Sequence, residues 1–307
     1  MGENCKKIGD KLEKFGDLLF KEFGWELLAQ NLEIECNNKN HKNSKNTNKQ
    51  THGIDLLFKY LNPFNNQYEA VIIECKNRKW NEFIPSNLNK WSNELLNTIE
   101  CSVCTNSINN YLSECTLKTG ILLFNSSDNE YTKERAEQNI AQMTVPRRKI
   151  STMLLLADTF LIEKWYSLAN TLKKIKNEKI EDFGIVYPSI DSKWAKIDCI
   201  IPELLFSDYI ISQYSQDIKT NNITITSEIK SIFSFDKVSQ DAVEYLKSMI
   251  ETMQLASHNK DLRINIYWYP ESSHDIEFIK NLNNNSDDDF KYIPMPNPRI
   301  AVVDNGF

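Results

Sequence analysis

The stretch His52–Lys76, HGIDLLFKYLNPFNNQYEAVIIECK, reads as two apolar strands, Asp55 to Leu61 and Tyr68 to Cys75, joined by the turn-rich segment Asn62 to Gln67. A hairpin folded about Phe64 and Asn65 sets the start of the first strand beside the end of the second. Asp55 then comes opposite Glu74, at a cross-strand separation of about 5 Å. Side chains alternate along a strand, so Glu74 and Lys76 share one face while Cys75 points to the other. Two carboxylates and an ammonium therefore meet at one end of an otherwise apolar hairpin. Like charges withdrawn from water are costly unless something positive lies between them. A hard divalent cation is the simplest solution, because Mg²⁺ is typically held by one or two carboxylates with waters and phosphate oxygens completing its shell. Lys76 beside such an ion would orient or deprotonate a water, or neutralise charge developing on a phosphate under attack. The chemistry suggested is metal-assisted phosphodiester hydrolysis.

Gly53-Ile54-Asp55 followed by Glu74-Cys75-Lys76 resembles the signature of the PD-(D/E)XK nuclease superfamily, which includes restriction endonucleases, Holliday-junction resolvases and Mrr-like enzymes. Ile54 replaces the proline of the family pattern, as in the resolvase-like and Mrr-like branches, and this departure touches no metal ligand. The resemblance implies that Asp55 and Glu74 hold Mg²⁺ with help from the Cys75 backbone carbonyl, that Mn²⁺ substitutes for it, and that Lys76 positions the attacking water. It also implies an α/β fold with a restriction-endonuclease-like αβββαβ core.

On the N-terminal side, Ile8, Leu12, Phe15, Leu19 and Phe23 recur at helical spacing, and Gly24 ends the run. Gly9 and Gly16 flank Glu13 on the adjacent face. A glycine inside a helix costs about 1 kcal/mol relative to Ala, so two of them suggest a helix lying close against a strand with Glu13 pointing at it. The family's first helix often carries a glutamate about three turns before a Gly-aromatic pair, a layout that Glu13 and Gly24-Trp25 match. By that resemblance Glu13 completes the metal site, directly or through water. The bland alternative is a solvated glutamate, and Glu22 and Glu26 compete for the role.

Trp25 to Glu35 reads as the first strand. Residues 37–50 follow as a polar insertion carrying Lys39, Lys42, Lys45 and Lys49, with no acid between Cys36 and Asp55. Composition alone supports a flexible, solvated loop. Beside the hairpin it could also track a phosphate backbone. Arg78 and Lys79 stand at the mouth of the expected site, and Arg147, Arg148 and Lys149 either border a nucleic-acid groove or lie in a solvated loop.

Asn87 to Cys115 reads as largely helical, with Trp91, Leu95 and Ile99 on one stripe, and Thr119 to Asn125 as a buried strand that completes the core order. The pair Cys101-x-x-Cys104 finds no second pair or nearby histidine to make four zinc ligands. Cys104, Ile108, Leu112 and Cys115 share a helical face and read as core. His41, His52, His258 and His274 do not group at metal spacing, and His52 reads as a loop histidine. Helices are expected over Glu130 to Met143 and Thr159 to Lys176, with a strand over Ile150 to Ala157.

Residues 1–180 are thus expected to form the nuclease-like domain, and residues 181–307 a smaller α+β domain of unassigned role. Strands are expected there at Phe183–Tyr187, Ile197–Ile201, Ile223–Phe233, Leu262–Trp268 and Arg299–Val303, with helices at Gln240–Leu255 and His274–Leu282. Glu228-Ile229-Lys230 is a second E-x-K, read as chance because no Gly-x-Asp hairpin precedes it.

Over 307 residues, 41% hydrophobic and 25% charged content are ordinary for a globular chain. A net charge of −6 argues against a nucleic-acid coat protein but not against a nuclease with a local basic groove. There is no signal-peptide run, no membrane-length apolar segment, no Gly-rich phosphate loop, no H-E-x-x-H and no G-x-S-x-G elbow. Seven irregularly spaced cysteines suit reduced thiols in a cytoplasm. The expectation is a cytoplasmic, Mg²⁺-dependent endonuclease acting on nucleic acid, DNA favoured by family frequency and RNA such as tRNA compatible, in bacterial restriction or anti-phage defence. A homodimer, or a hetero-oligomer with a regulatory subunit, is compatible with that role. The alternative is a non-catalytic nucleic-acid-binding or assembly subunit that docks a partner protein.

Overall fold

The computed structural model describes residues 2–43, 45–104, 108–128, 130–148, 150–188, 194–220, 223–255, 262–285 and 290–300. By packing, the chain divides into Met1–Ile162 and Glu163–Phe307. That division falls inside a helix whose Trp165 donates its indole N–H to Leu205 O at 2.8 Å, in the second unit.

In the first unit, α1 (Gly2–Glu22) precedes β1 (Glu26–Glu35), β2 (Thr51–Asn62) and β3 (Gln67–Arg78). Then come α2 (Pro85–Cys104), a short α3 (Asn109–Leu112), β4 (Cys115–Ser126), α4 (Lys133–Ala141) and β5 (Met153–Ala157), with α5 (Thr159–Lys176) crossing into the second unit. The five strands form one sheet in the order β1-β2-β3-β4-β5. The first three run antiparallel, while β4 and β5 lie parallel to β3. The step from β3 to β4 needs a crossover, and α2 supplies it. This is the expected helix, three strands, helix, strand order, extended by β5.

The two faces of the sheet are covered differently. On one, α1 packs its Leu12, Leu19, Phe20 and Phe23. Gly16 is what lets it approach: a Cβ there would lie 3.1 Å from Leu56 Cδ1 and 3.7 Å from Leu123 Cδ1. At the helix end Gly24 adopts φ 83°, and the Trp25 N–H reaches back to Phe20 O at 3.1 Å. On the other face, Leu57, Ile72, Leu122 and Phe124 meet the apolar stripe of α2, Leu88, Trp91, Leu95 and Ile99.

α2 stops at Cys104, which is exposed, rather than continuing to Cys115. Cys101, one face round the helix, is the buried thiol, and Cys115 instead opens β4. The 37–50 insertion, expected as a solvated loop, turns back on itself: Lys42 bridges to Asn48, the Lys49 N–H donates to His41 O at 2.9 Å, and His41 is buried.

The second unit contains β6 (Ile180–Pro188), β7 (Trp194–Ile197), α6 (Pro202–Leu205), β8 (Tyr209–Thr220), β9 (Ile223–Ser234), α7 (Gln240–Thr252), β10 (Leu262–Trp268), α8 (Ser273–Asn285) and β11 (Phe290–Pro294). These strands form a six-stranded sheet in the order β11-β10-β9-β8-β6-β7. β9, β10 and β11 are parallel, with α7 and α8 as crossovers, and Leu246, Ile250 and Ile279 of those helices pack on Ile232, Ile264 and Trp268. β8 was not expected, since its IISQYSQDIK alternates too weakly to stand out. Ile197–Ile201 proves to be the end of β7 and a bend. There the Tyr187 hydroxyl donates to Cys199 O at 2.7 Å and accepts from the Ile201 N–H at 3.0 Å. Arg299 is helical rather than extended, and the remainder of the expected final strand, 301–303, lies outside the described residues, as does His258.

Candidate active site at the open end of the β2–β3 hairpin

The hairpin folds in the expected register. Asn62 pairs with Gln67, and Asn62 and Asn65 cap the turn by accepting the Phe64 and Gln67 N–H groups, each at 2.9 Å. The regular ladder ends at Leu56↔Ile73, so Asp55 and Glu74 are the next facing pair. Just beyond the ladder, the Cys75 N–H donates to Asp55 Oδ2 at 2.7 Å, which holds the Asp55 carboxylate against the β3 main chain. On the outer side Asp55 faces Asn31 of β1, whose left-handed backbone (φ 50°) falls between the paired positions Gln30↔Leu56 and Leu32↔Ile54. An Asn tolerates that conformation better than a branched residue.

Glu74 and Lys76 project together toward the α2 face and form an ion pair. Burial and the neighbouring Asp55 and Glu94 charges push the Glu74 carboxyl up to about 7, against the pull of the Lys76 ammonium. Burial works to lower the Lys76 pKa, but Glu74, Asp55 and Glu94 outweigh it and hold the ammonium above its ordinary value. Glu94, on α2, escaped the sequence reading. The only signal was its place three residues after Trp91 on a helix that had to cross this face.

Glu13 reaches the same region from the α1 side. Burial first, then the charges of Asp55, Glu13 and Glu74, drive the Cys75 thiol well above its ordinary range, and Lys76 only partly offsets them. Three carboxylates, Glu74, Asp55 and Glu94, thus act on one ammonium, and Glu13 acts on Cys75 beside them. Such an excess of negative oxygen donors could hold a hard divalent cation.

The basic residues are spread more widely. Lys39, Lys42 and Lys45 are exposed on the insertion, Lys49 is half-buried, and the insertion leaves the sheet where β2 starts, at the same end as Asp55. Arg78 ends β3 with its guanidinium on Asn77 O at 3.3 Å, and Lys79 is exposed just after it. Arg147 is exposed, whereas Arg148 is half-buried, with Nη2 donating to Asn93 Oδ1 at 3.1 Å and Nη1 lying 3.6 Å from Glu100 Oε2. Glu22 and Glu26, the competitors of Glu13, end α1 and begin β1, where Glu26 pairs with Lys59 at 3.1 Å.

The histidines correct the sequence reading. His52 is a fully buried β2 residue, and His41 and His52 do converge, with Nδ1 and Nε2 3.3 Å apart. Cys36 and Cys101 join them, so Cys101 finds its partners across the fold rather than in Cys104. No curated protein and no solved structure is a significant match to this chain. Residues 1–159 match the family described as the GAPS4 protein PD-(D/E)XK nuclease domain, a span that runs from α1 through β5 and carries every residue of the hairpin site. That match covers more than half of the 307 residues, and the chain belongs to the PD-(D/E)XK nuclease domain family of GAPS4 proteins.

Proposed function

We propose that this chain hydrolyses phosphodiester bonds in nucleic acid with a divalent metal, Mg²⁺ or Mn²⁺, held by Asp55 and Glu74. The observation that carries the reading is the facing Asp55 and Glu74 pair with the Lys76 ammonium bound to Glu74. The Cys75 peptide, fixed through its N–H by Asp55, offers its carbonyl as a further hard ligand, and Glu13 assists from α1. A cation at this place supplies Lewis acidity and a more acidic water. The protein's own groups do the rest. Asp55 and Glu74 orient, and Lys76, kept protonated by its carboxylate neighbours, donates a hydrogen bond to the attacking water or to a non-bridging phosphate oxygen.

The insertion lysines, with Arg78, Lys79 and Arg147, would track the phosphate backbone along the same end of the sheet, with Arg148 bracing the wall through Glu100. DNA is the substrate favoured by family frequency. A role in restriction or anti-phage defence, under the control of a partner subunit, rests on analogy with free-standing bacterial nucleases. The cysteines whose side chains are described form no disulfide, which agrees with a cytoplasmic setting, and among the described residues no helix is long and apolar enough to cross a membrane.

Wild type and Lys76→Ala should be incubated with supercoiled, linear and single-stranded DNA and with RNA, with and without Mg²⁺ or Mn²⁺. Metal-dependent strand scission by wild type alone is expected. Metal-independent retention of nucleic acid without scission would instead favour a binding or assembly subunit, and equal cleavage by the Lys76 variant would overturn the site.

A further inference from the structure

We propose that Cys36, His41, His52 and Cys101 bind a structural Zn²⁺ ion, distinct from the ion at Asp55 and Glu74. Cys36 follows β1, His41 lies in the insertion, His52 is the second residue of β2, and Cys101 is in the last turn of α2. Their ligand atoms all lie within 4.8 Å of one another, and three of the four residues are buried.

Four of the six separations match a tetrahedron. Zinc bonds of about 2.3 Å to sulfur and about 2.0–2.1 Å to nitrogen, at tetrahedral angles, place sulfurs about 3.8 Å apart, sulfur and nitrogen about 3.6 Å, and two nitrogens about 3.3 Å. Here Cys36 Sγ and Cys101 Sγ are 3.9 Å apart, His41 Nδ1 lies 3.5 Å from each sulfur, and His41 Nδ1 and His52 Nε2 are 3.3 Å apart. A sulfur separation of 3.9 Å is nearly twice a disulfide bond.

Hydrogen bonding explains the crowding at His41 poorly. His41 Nδ1 has three close neighbours, the two sulfurs and His52 Nε2. A ring nitrogen offers either one N–H or one lone pair, so it serves one such partner at a time, while Cys36 Sγ also lies 3.6 Å from Asn38 O and 3.9 Å from Cys101 Sγ. A cation in the middle satisfies all four. Two thiolates and two imidazoles are soft and borderline donors that suit zinc and do not suit Mg²⁺.

The outward-facing ring nitrogens also have polar neighbours. His41 turns Nε2 toward the Glu100 carboxylate, with Oε2 at 3.6 Å, while the Asn38 amide, itself a donor and 3.2 Å from Nε2, donates to Glu100 Oε1 at 3.2 Å. His52 turns Nδ1 toward Thr98 Oγ1 at 3.5 Å, and that hydroxyl donates to Glu94 O at 2.9 Å. Such outer partners fix ring orientation and tautomer. The ion would pin the insertion, the end of β1, the start of β2 and the end of α2 together, three residues upstream of Asp55. The site stands whether or not the chain cleaves nucleic acid.

The test is the metal content of the full chain purified without chelator, measured by plasma mass spectrometry. About one zinc per chain is expected, falling at least about tenfold in Cys101→Ser and in His41→Ala, and unchanged in Asp55→Asn. Should the ligand variants prove insoluble, wild type loaded with Co²⁺ decides. Thiolate-to-cobalt charge transfer with strong tetrahedral d–d bands supports the site, and a weak octahedral spectrum overturns it. Zinc absent from wild type that also takes up no Co²⁺, zinc retained in both ligand variants, or zinc lost in Asp55→Asn would each overturn it as well.

Discussion

The chain carries the tripeptide pattern E-x-K twice, on a central strand of each sheet, and only one copy has the surroundings of a site. On β3, Glu74 and Lys76 are 13% and 14% exposed, and the residue facing Glu74 from β2 is Asp55. On β9, Glu228 is 42% exposed and lies 3.9 Å from Lys230. It faces Ser215 on β8 and Leu262 on β10, and the Lys230 ammonium donates to Leu255 O at 2.9 Å. The spacing is identical, but the first pair is buried and the glutamate of the second is exposed. The neighbouring strand differs too: a second carboxylate across the ladder adds negative charge that would suit a cation, and a serine does not. A three-residue motif is therefore a property of two strands, not of one.

The strongest way to break that contrast is to turn the first copy into the second. Asp55→Asn keeps the Glu74–Lys76 pair and removes the facing charge, and cleavage should fall by about 10³-fold in a plasmid nicking assay, with thermal stability little changed. Retention of more than about a tenth of wild-type activity would mean that the ladder neighbour does not matter. Glu94→Gln, which removes a charge from the α2 wall, should weaken Mg²⁺ activation by about tenfold, read as a rise in the metal concentration for half-maximal cleavage. An unchanged activation curve would exclude Glu94 from the site.

The pH dependence sharpens the comparison further. Glu74 titrates near 7 when folded, above its unfolded value of 4.5, so between those values the native state binds more protons than the unfolded chain. Without metal, stability should fall as pH rises through that window. A cation relieves the repulsion and competes with the proton, so the rise in melting temperature on adding Mg²⁺ should be larger at about pH 8 than at about pH 6. An equal rise at both would show that Glu74 is not where the ion binds. The smallest effect belongs to the second E-x-K. Lys230→Ala should leave cleavage within about twofold of wild type, because Glu228 and the Leu255 carbonyl, the groups its ammonium meets, lie in the second unit.

The hairpin was legible because its information is local. Alternation, a turn of Asn and Pro, and two charges at one end dictate register without help from the rest of the chain, and the Gly9, Gly16 and Glu13 pattern marked α1 for the same reason. Glu94 and the thiol–imidazole cluster were not legible. Cys36-x4-His41 is close in sequence, but Cys101 comes from α2, and only the β3–α2–β4 crossover brings it back. The pair Cys101-x-x-Cys104 drew attention to the wrong partner, since Cys101 is buried while Cys104, the last residue of α2, is exposed. In the second unit β8 was missed because a strand between two sheet neighbours needs only half of its residues apolar, and Ser212, Gln213 and Ser215 hide the period.

His52 and Asp55 share one strand, with Gly53 and Ile54 between them. On the two proposed metal sites, a chelator strong enough to strip the soft cluster would act twice, emptying the catalytic end at once and more slowly unfastening the strand that presents Asp55. Inactivation by brief EDTA treatment should be reversed by Mg²⁺ alone, whereas prolonged treatment should need Zn²⁺ before Mg²⁺ has any effect. The order of add-back then tells which of the two ions was lost.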